Sequence, residues 1–183
     1  PILEGLTEIN RGRTGDDLLN VHFPNSIHIR FLSKRIATLF RSAGVSTIRL
    51  SFESVRESSA SLSSGKTTPE DLRRAAAHLR DAGYPLPDIV VYSLLGYPGQ
   101  DVSDARETYA FIHSLGLRAS PALYSPVPGT PQFDIAVKNG MPPSEPLYQN
   151  KIAFACRFGT LSIDEFNDLR RYAAQLNDRL PKR

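Results

Sequence analysis

The 183-residue chain has one cysteine, one methionine and no apolar run near the ~20 residues that a membrane-spanning helix needs. A single cysteine excludes disulfides within the chain, and any metal cluster ligated by several of its cysteines. Cys156 lies in the apolar stretch Ile152-Ala153-Phe154-Ala155-Cys156, so a buried small hydrophobe is expected there rather than a nucleophile. The G-x-S-x-G elbow, the Walker A sequence and the G-x-G-x-x-G fingerprint are absent. His22 and His28 have no third ligand at a supporting spacing, so no metal site is expected. No secretory signal opens the sequence, which makes a cytoplasmic protein the default. Net charge is +3, and the basic residues Arg73, Arg74, Arg80, Arg170 and Arg171 are spread along helices. That spread fits a solvated helix surface and argues against a nucleic-acid footprint. The chain starts at Pro1 and its methionine is Met141, so a processed chain or a piece of a longer one is expected.

The length suits one domain with a sizeable core. Helix signals recur along it. Ser33 precedes an apolar face of Ile36, Leu39, Phe40 and Ala43, closed by Gly44. Thr68-Pro69-Glu70-Asp71 supplies an N-cap, a first-turn proline and two acids, and Gly83 ends that helix. A third helix runs from Asp101 to Leu115, a fourth from Ser144 toward Phe158, and Ser162 with Glu165 opens the last. Residues 2–10 read as a further helix. Strands are expected at Leu19–Phe23, Thr47–Phe52, Ile89–Leu95 and Ala119–Tyr124. Alternation of strand and helix at roughly 30-residue spacing implies a parallel α/β sheet or barrel. Four strands are too few for a closed eight-stranded barrel, so an open sheet or a partial parallel β/α barrel is expected.

Strand residues alternate faces. Ile48, Leu50 and Phe52 share one face of the second strand, and Arg49, Ser51 and Glu53 the other. The first strand sets Leu19, Val21 and Phe23 against Asn20 and His22. Parallel strands covered on both faces normally read as continuous apolar runs, so this polar face is open to water or lines a polar cavity. Three polar or Gly/Pro-rich segments follow strands: Ser51–Ser54, Gly96–Gln100 and Pro126–Pro131. Ligand sites of parallel α/β proteins form at such strand ends, which points to one shared site.

Taken in order, five segments resemble the later part of a radical S-adenosylmethionine (radical SAM) barrel. They are Pro24-Asn25 with Arg30, Ile48–Ser54, Ala82-Gly83, Gly96-Tyr97-Pro98-Gly99-Gln100 and Pro126–Pro131. The similarity is nearest to the branch that often carries an upstream cobalamin-binding domain, and it spans about residues 20 to 133. Ser26 departs from the glycine common after Pro-Asn in that family.

The resemblance implies a six-stranded partial barrel of which this chain supplies the last four strand–helix units. It places a partial barrel over 1–135 and a C-terminal helical segment over 136–183. It also implies an iron–sulfur enzyme, an oxidoreductase or transferase, in which a [4Fe–4S] cluster cleaves S-adenosylmethionine to a 5′-deoxyadenosyl radical. By the same analogy Glu53, Ser54 and Ser51 fall where the family contacts the cofactor's ribose or amino-acid portion. Arg30 or Arg49 would face its carboxylate, and Asn25 is also expected to contact the cofactor. The segments Leu95–Gly99, with Gly96 and Pro98, and Ser125–Pro128, with Pro126, would lie near the adenine through backbone contacts, and Tyr124 is also expected to contact the cofactor. The family's C-x3-C-x2-C loop is missing, as is its glycine-rich segment after the second strand. The chain alone is therefore expected to be inactive, a fragment whose main partner is the N-terminal part of the barrel. The alternative is a cluster-free α/β binding or partner protein. An incomplete barrel would leave the first strand with an open edge, expected to self-associate or to be covered by residues 1–16.

Overall fold

The computed structural model describes residues 1–56, 67–97, 100–158 and 160–182. The chain opens with α1 (Ile2–Asn10), two short strands β1 (Val21–His22) and β2 (Ile27–His28), and α2 (Lys34–Ser42). Next come β3 (Val45–Thr47), β4 (Arg49–Ser51), α3 (Pro69–Asp81), β5 (Val90–Leu95), α4 (Val102–Ser114) and β6 (Arg118–Leu123). Helices α5 (Pro131–Lys138), α6 (Lys151–Phe158) and α7 (Ile163–Asp178) follow.

Strand order decides the architecture. β2, β4, β5 and β6 form one sheet in chain order, every pair parallel, with β1 and β3 paired beside it. Crossovers between parallel strands are right-handed. When such crossovers always step to the next strand in the same direction, every helix falls on one face. That is the winding of a β/α barrel, whereas a doubly wound sheet reverses direction and covers both faces.

Burial agrees with this winding. Leu50, Phe52, Val91, Leu95 and Ala119 pack with Leu72, Leu79, Ile112 and Leu169 in one core. The opposite face carries Arg49, Ser51, Val90, Tyr92, Leu94 and Ser120, all half-buried. The expected alternation of the second strand is thus what the structure shows.

The first expected strand, Leu19–Phe23, is shorter than expected, forming β1 alone, β2 is a further strand beyond it, and the second expected strand is divided. Pro24 cannot donate to a ladder, and the turn around it separates β1 from β2. Ile48 separates β3 from β4 where the strand changes partners: β3 pairs with β1, while β4 lies between β2 and β5. The ladder itself continues there, since the Ile48 carbonyl accepts from the Val90 N–H at 3.2 Å. The helix expected from Ser144 is also divided. Pro146–Gln149 forms a 3-10 turn, and Asn150 then caps a new helix by accepting from the Ala153 N–H at 3.3 Å. Helix α5 is additional to the helices expected from the sequence, and the 135/136 division falls inside it.

Segment 1–16 meets the sheet through Asn10. Its side-chain amide donates to the Leu19 carbonyl at 3.0 Å and accepts from the Leu19 N–H at 2.8 Å. Among the described residues β2 pairs only with β4, so its outer edge carries no strand.

The Thr68 cap is complete. Its hydroxyl accepts from the Asp71 N–H at 3.1 Å, and the Asp71 carboxylate accepts from the Thr68 N–H at 3.0 Å. Burial pushes the Asp71 carboxyl up, but bonds from Thr68 and Arg74 outweigh it and hold the group below its ordinary value. Thr68→Ala is expected to lower stability by about 1 kcal/mol in urea unfolding at neutral pH. A depressed carboxyl stabilises above its unfolded pKa, so that contribution fades as pH falls below roughly 4. The difference between wild type and variant should therefore shrink between pH 7 and pH 3; a constant difference would contradict this account.

Candidate functional site

Register stacks the open face into rows. Arg49, Val90 and Arg118 are aligned across β4, β5 and β6. The next row holds His28, Ser51, Tyr92 and Ser120, and the row above contains Leu94 and Ala122. Rows are two residues apart, about 6.6 Å along the strands.

The ladder continues past β4. Phe52 N–H donates to the Tyr92 carbonyl at 3.0 Å, and the Ser93 hydroxyl to the Glu53 carbonyl at 3.1 Å. Glu53, two residues beyond Ser51, therefore stands on the open face one row higher. Tyr124 N–H donates to the Leu95 carbonyl at 2.8 Å, which extends β6 in the same direction. Glu53, Gly96 and Tyr124 thus meet at the carboxyl ends of three adjacent strands.

The loops bearing these residues are fixed from the helix side. Ser54, 1% exposed, turns into the core and donates to the Asp104 carboxylate at 2.5 Å. Tyr97, 2% exposed, sends its hydroxyl to the other oxygen of the same carboxylate at 3.5 Å. Asp104 lies in the first turn of α4, where its N–H donates to the Asp101 N-cap at 2.9 Å. One carboxylate therefore ties the residue after Glu53 to the residue after Gly96. The buried Gln100 side chain accepts from the Gly96 N–H at 2.7 Å and donates to the Leu94 carbonyl at 3.0 Å. Arg56 completes the brace from outside, gripping Glu107 at 2.5 and 2.8 Å and Asp101 at 3.1 Å. The hydrogen bond from Arg56 holds the Glu107 carboxyl below the ordinary range. Tyr109 packs under this network, and burial pushes its phenol well up.

The other expected residues are placed as follows. Arg49 and Ser51 lie on the open face below Glu53. Asn25 is exposed beside a hollow of about 310 Å³ lined by Phe23, Ile27 and Phe40. Arg30 sits in the turn Ile29–Phe31 that leaves β2. Pro126 is buried after β6, and the Tyr124 ring stands edge-on to Phe154 at 5.6 Å. Burial pushes the Tyr124 phenol up, against a smaller pull from the Thr130 hydroxyl. Pro98 and the Cys156 side chain lie outside the described residues, as does most of the Ser-rich stretch after Val55.

Solved structures share this winding. The radical SAM methyltransferase TsrM from Kitasatospora setae, with cobalamin and a [4Fe-4S] cluster bound, matches 75% of the chain at TM-score 0.60 and 20% identity. Coproporphyrinogen III oxidase (HemN) from Escherichia coli, a radical SAM enzyme, matches 69% at TM-score 0.56 and 15% identity. Over the matched residues the chain has the fold of part of a radical SAM barrel. It spans 25% of the TsrM chain and 29% of HemN. No protein-family model and no curated protein matches the sequence.

In a β/α barrel wound this way the face away from the helices is the inner one, and the braced loops stand at its carboxyl end. The chain has one cysteine, and no group of three His, Cys, Asp or Glu side chains suited to a metal occurs among the described residues. No described helix is long and apolar enough to cross a membrane.

Sequence reasoning does not find Tyr92, Ser120, Arg118 or Asp104. The first three lie in strands whose neighbours are mostly apolar, and only register reveals their alignment. Asp104 has the look of an ordinary first-turn acid of α4, and nothing local marks it as buried.

Proposed function

We propose that this chain is the cofactor- and substrate-facing part of a radical SAM iron–sulfur enzyme whose cluster ligands lie outside it. One observation carries the reading. An all-parallel sheet wound in one direction leaves a polar face open, and Glu53 stands at its carboxyl rim beside Gly96 and Tyr124. A carboxylate there suits S-adenosylmethionine, because it accepts from vicinal ribose hydroxyls or from the ammonium group. Arg30, at the end of β2, would answer the cofactor's carboxylate, with Asn25 nearby. The strand-end backbone of Gly96 and the ring of Tyr124 would flank the adenine. Bound to a cluster supplied by the rest of the protein, the cofactor would provide a 5′-deoxyadenosyl radical. This chain's own task is to hold the nucleoside, set its direction and line the lumen beneath it. The outer edge of β2 would receive a preceding strand of the same barrel, which removes the open edge. On this reading the whole protein would be soluble and cytoplasmic, and a cobalamin-binding domain would precede the barrel.

The test is S-adenosylmethionine binding by the full-length protein, measured calorimetrically. Glu53→Ala removes charge-assisted hydrogen bonds of about 1.5–3 kcal/mol, so affinity should fall roughly 10- to 100-fold. Binding equal to wild type would overturn the assignment.

A further inference from the structure

One polar belt lies a row below Glu53 on the open face. His28, Ser51, Tyr92 and Ser120 come from four adjacent strands and share one level of the open face. They span roughly 14 Å at ~4.8 Å per strand step. Four hydrogen-bonding side chains at one level of a parallel sheet mark a wet or ligand-filled surface, since a dry packed face would be apolar. The His28 Nδ1 atom is buried and makes no hydrogen bond among the described residues, a costly state for a structural histidine.

Arg49 rises into this belt from the row below. It donates to the Tyr92 hydroxyl, and its guanidinium lies 5.8 Å from the centre of that ring. Glu53 stands one row above the belt, and none of the ion pairs among the described residues involves Arg49. Arg118, on the Arg49 row, donates to the Pro87 carbonyl at 3.3 Å and adds positive charge below. A guanidinium keeps its charge at any working pH and presents a planar fork matched to carboxylate or phosphate.

We infer that the substrate of this lumen carries an oxyanion, a carboxylate or phosphate, that docks on Arg49 within the His28–Ser51–Tyr92–Ser120 belt. The inference rests on the open face being the ligand face of a radical SAM barrel. The nucleoside then occupies the Glu53 row and the anionic substrate the row beneath, so the two subsites are separable.

The experiment follows the Arg49 side-chain Nε–H signal by NMR in the full-length protein during titration with succinate, and separately with inorganic phosphate. At least one of the two should shift it saturably, and the stronger ligand names the oxyanion source. Arg49→Gln should weaken that ligand at least 10-fold, Arg49→Lys less, and Arg73→Gln, on the far side of α3, not at all. A linear shift with both anions overturns the inference, and so does equal weakening by Arg49→Gln and Arg73→Gln. S-adenosylmethionine affinity of Glu53→Ala, measured in parallel, reports separately on the cofactor reading. That reading can fail while the oxyanion site stands, or hold while Arg49→Gln leaves anion binding unchanged.

Discussion

Gly44→Ala should unfold at markedly lower urea concentration than wild type, with a loss of about 3–4 kcal/mol. Gly44 closes α2 at φ +78°, and a Cβ there would lie 2.2 Å from the Leu19 carbonyl oxygen and 2.6 Å from the Asn10 side-chain nitrogen. The first obstacle is backbone and cannot rotate away. The left-handed conformation alone costs a non-glycine residue roughly 1–2 kcal/mol. Displacing Asn10 would also break its two bonds to Leu19, each worth about 1 kcal/mol. Gly83 separates the two effects. It has φ +86°, yet nothing lies within 4 Å of where its Cβ would stand, so Gly83→Ala should cost only about 1 kcal/mol. Equal losses for the two variants would show that conformation, and not the close approach of Leu19, sets the demand for glycine.

The same positions show what a sequence can reveal. Gly44 and Gly83 are legible as helix stops, because apolar periodicity ends just before each. The crowding around Gly44 is not legible, because Leu19 and Asn10 are brought to it by the sheet. The α5 start at Thr130-Pro131 repeats the signature of Thr68-Pro69, with the Thr130 hydroxyl accepting from the Phe133 N–H at 3.3 Å. It reads as loop because the proline- and glycine-rich run before it also signals a turn. Arg49, Ser51 and Glu53 are legible as one polar face, since alternation is a property of one strand. Their alignment with His28, Tyr92 and Ser120 is not, since register is set between strands. Ser54 illustrates the limit of motif reasoning. It adjoins Glu53 in sequence, but the next position in a strand faces the other way, and its hydroxyl belongs to Asp104.

Asp104→Ala is the second large loss expected, about 2–4 kcal/mol. Asp104 is 1% exposed, and Asp104→Ala removes the buried carboxylate to which the Ser54 and Tyr97 hydroxyls both donate. Asp104→Asn keeps an acceptor oxygen for one of the two hydroxyls and sets an NH2 donor against the other, so its loss should be smaller, about 1–2 kcal/mol. The consequence for the site is more specific than lost stability. Ser54 and Tyr97 lie on different loops, yet each follows a rim residue, Glu53 in one case and Gly96 in the other. With the shared acceptor gone, amide exchange should quicken at Ser54–Arg56 and at Gly96–Tyr97 together, while the centre of β5 stays protected below the global unfolding limit. Quickening at only one loop would mean that the two are anchored separately. Coupled quickening would identify the rim as one mechanical unit, in which a buried acid on the helix side fixes the spacing between Glu53 and Gly96 across which a nucleoside would have to fit.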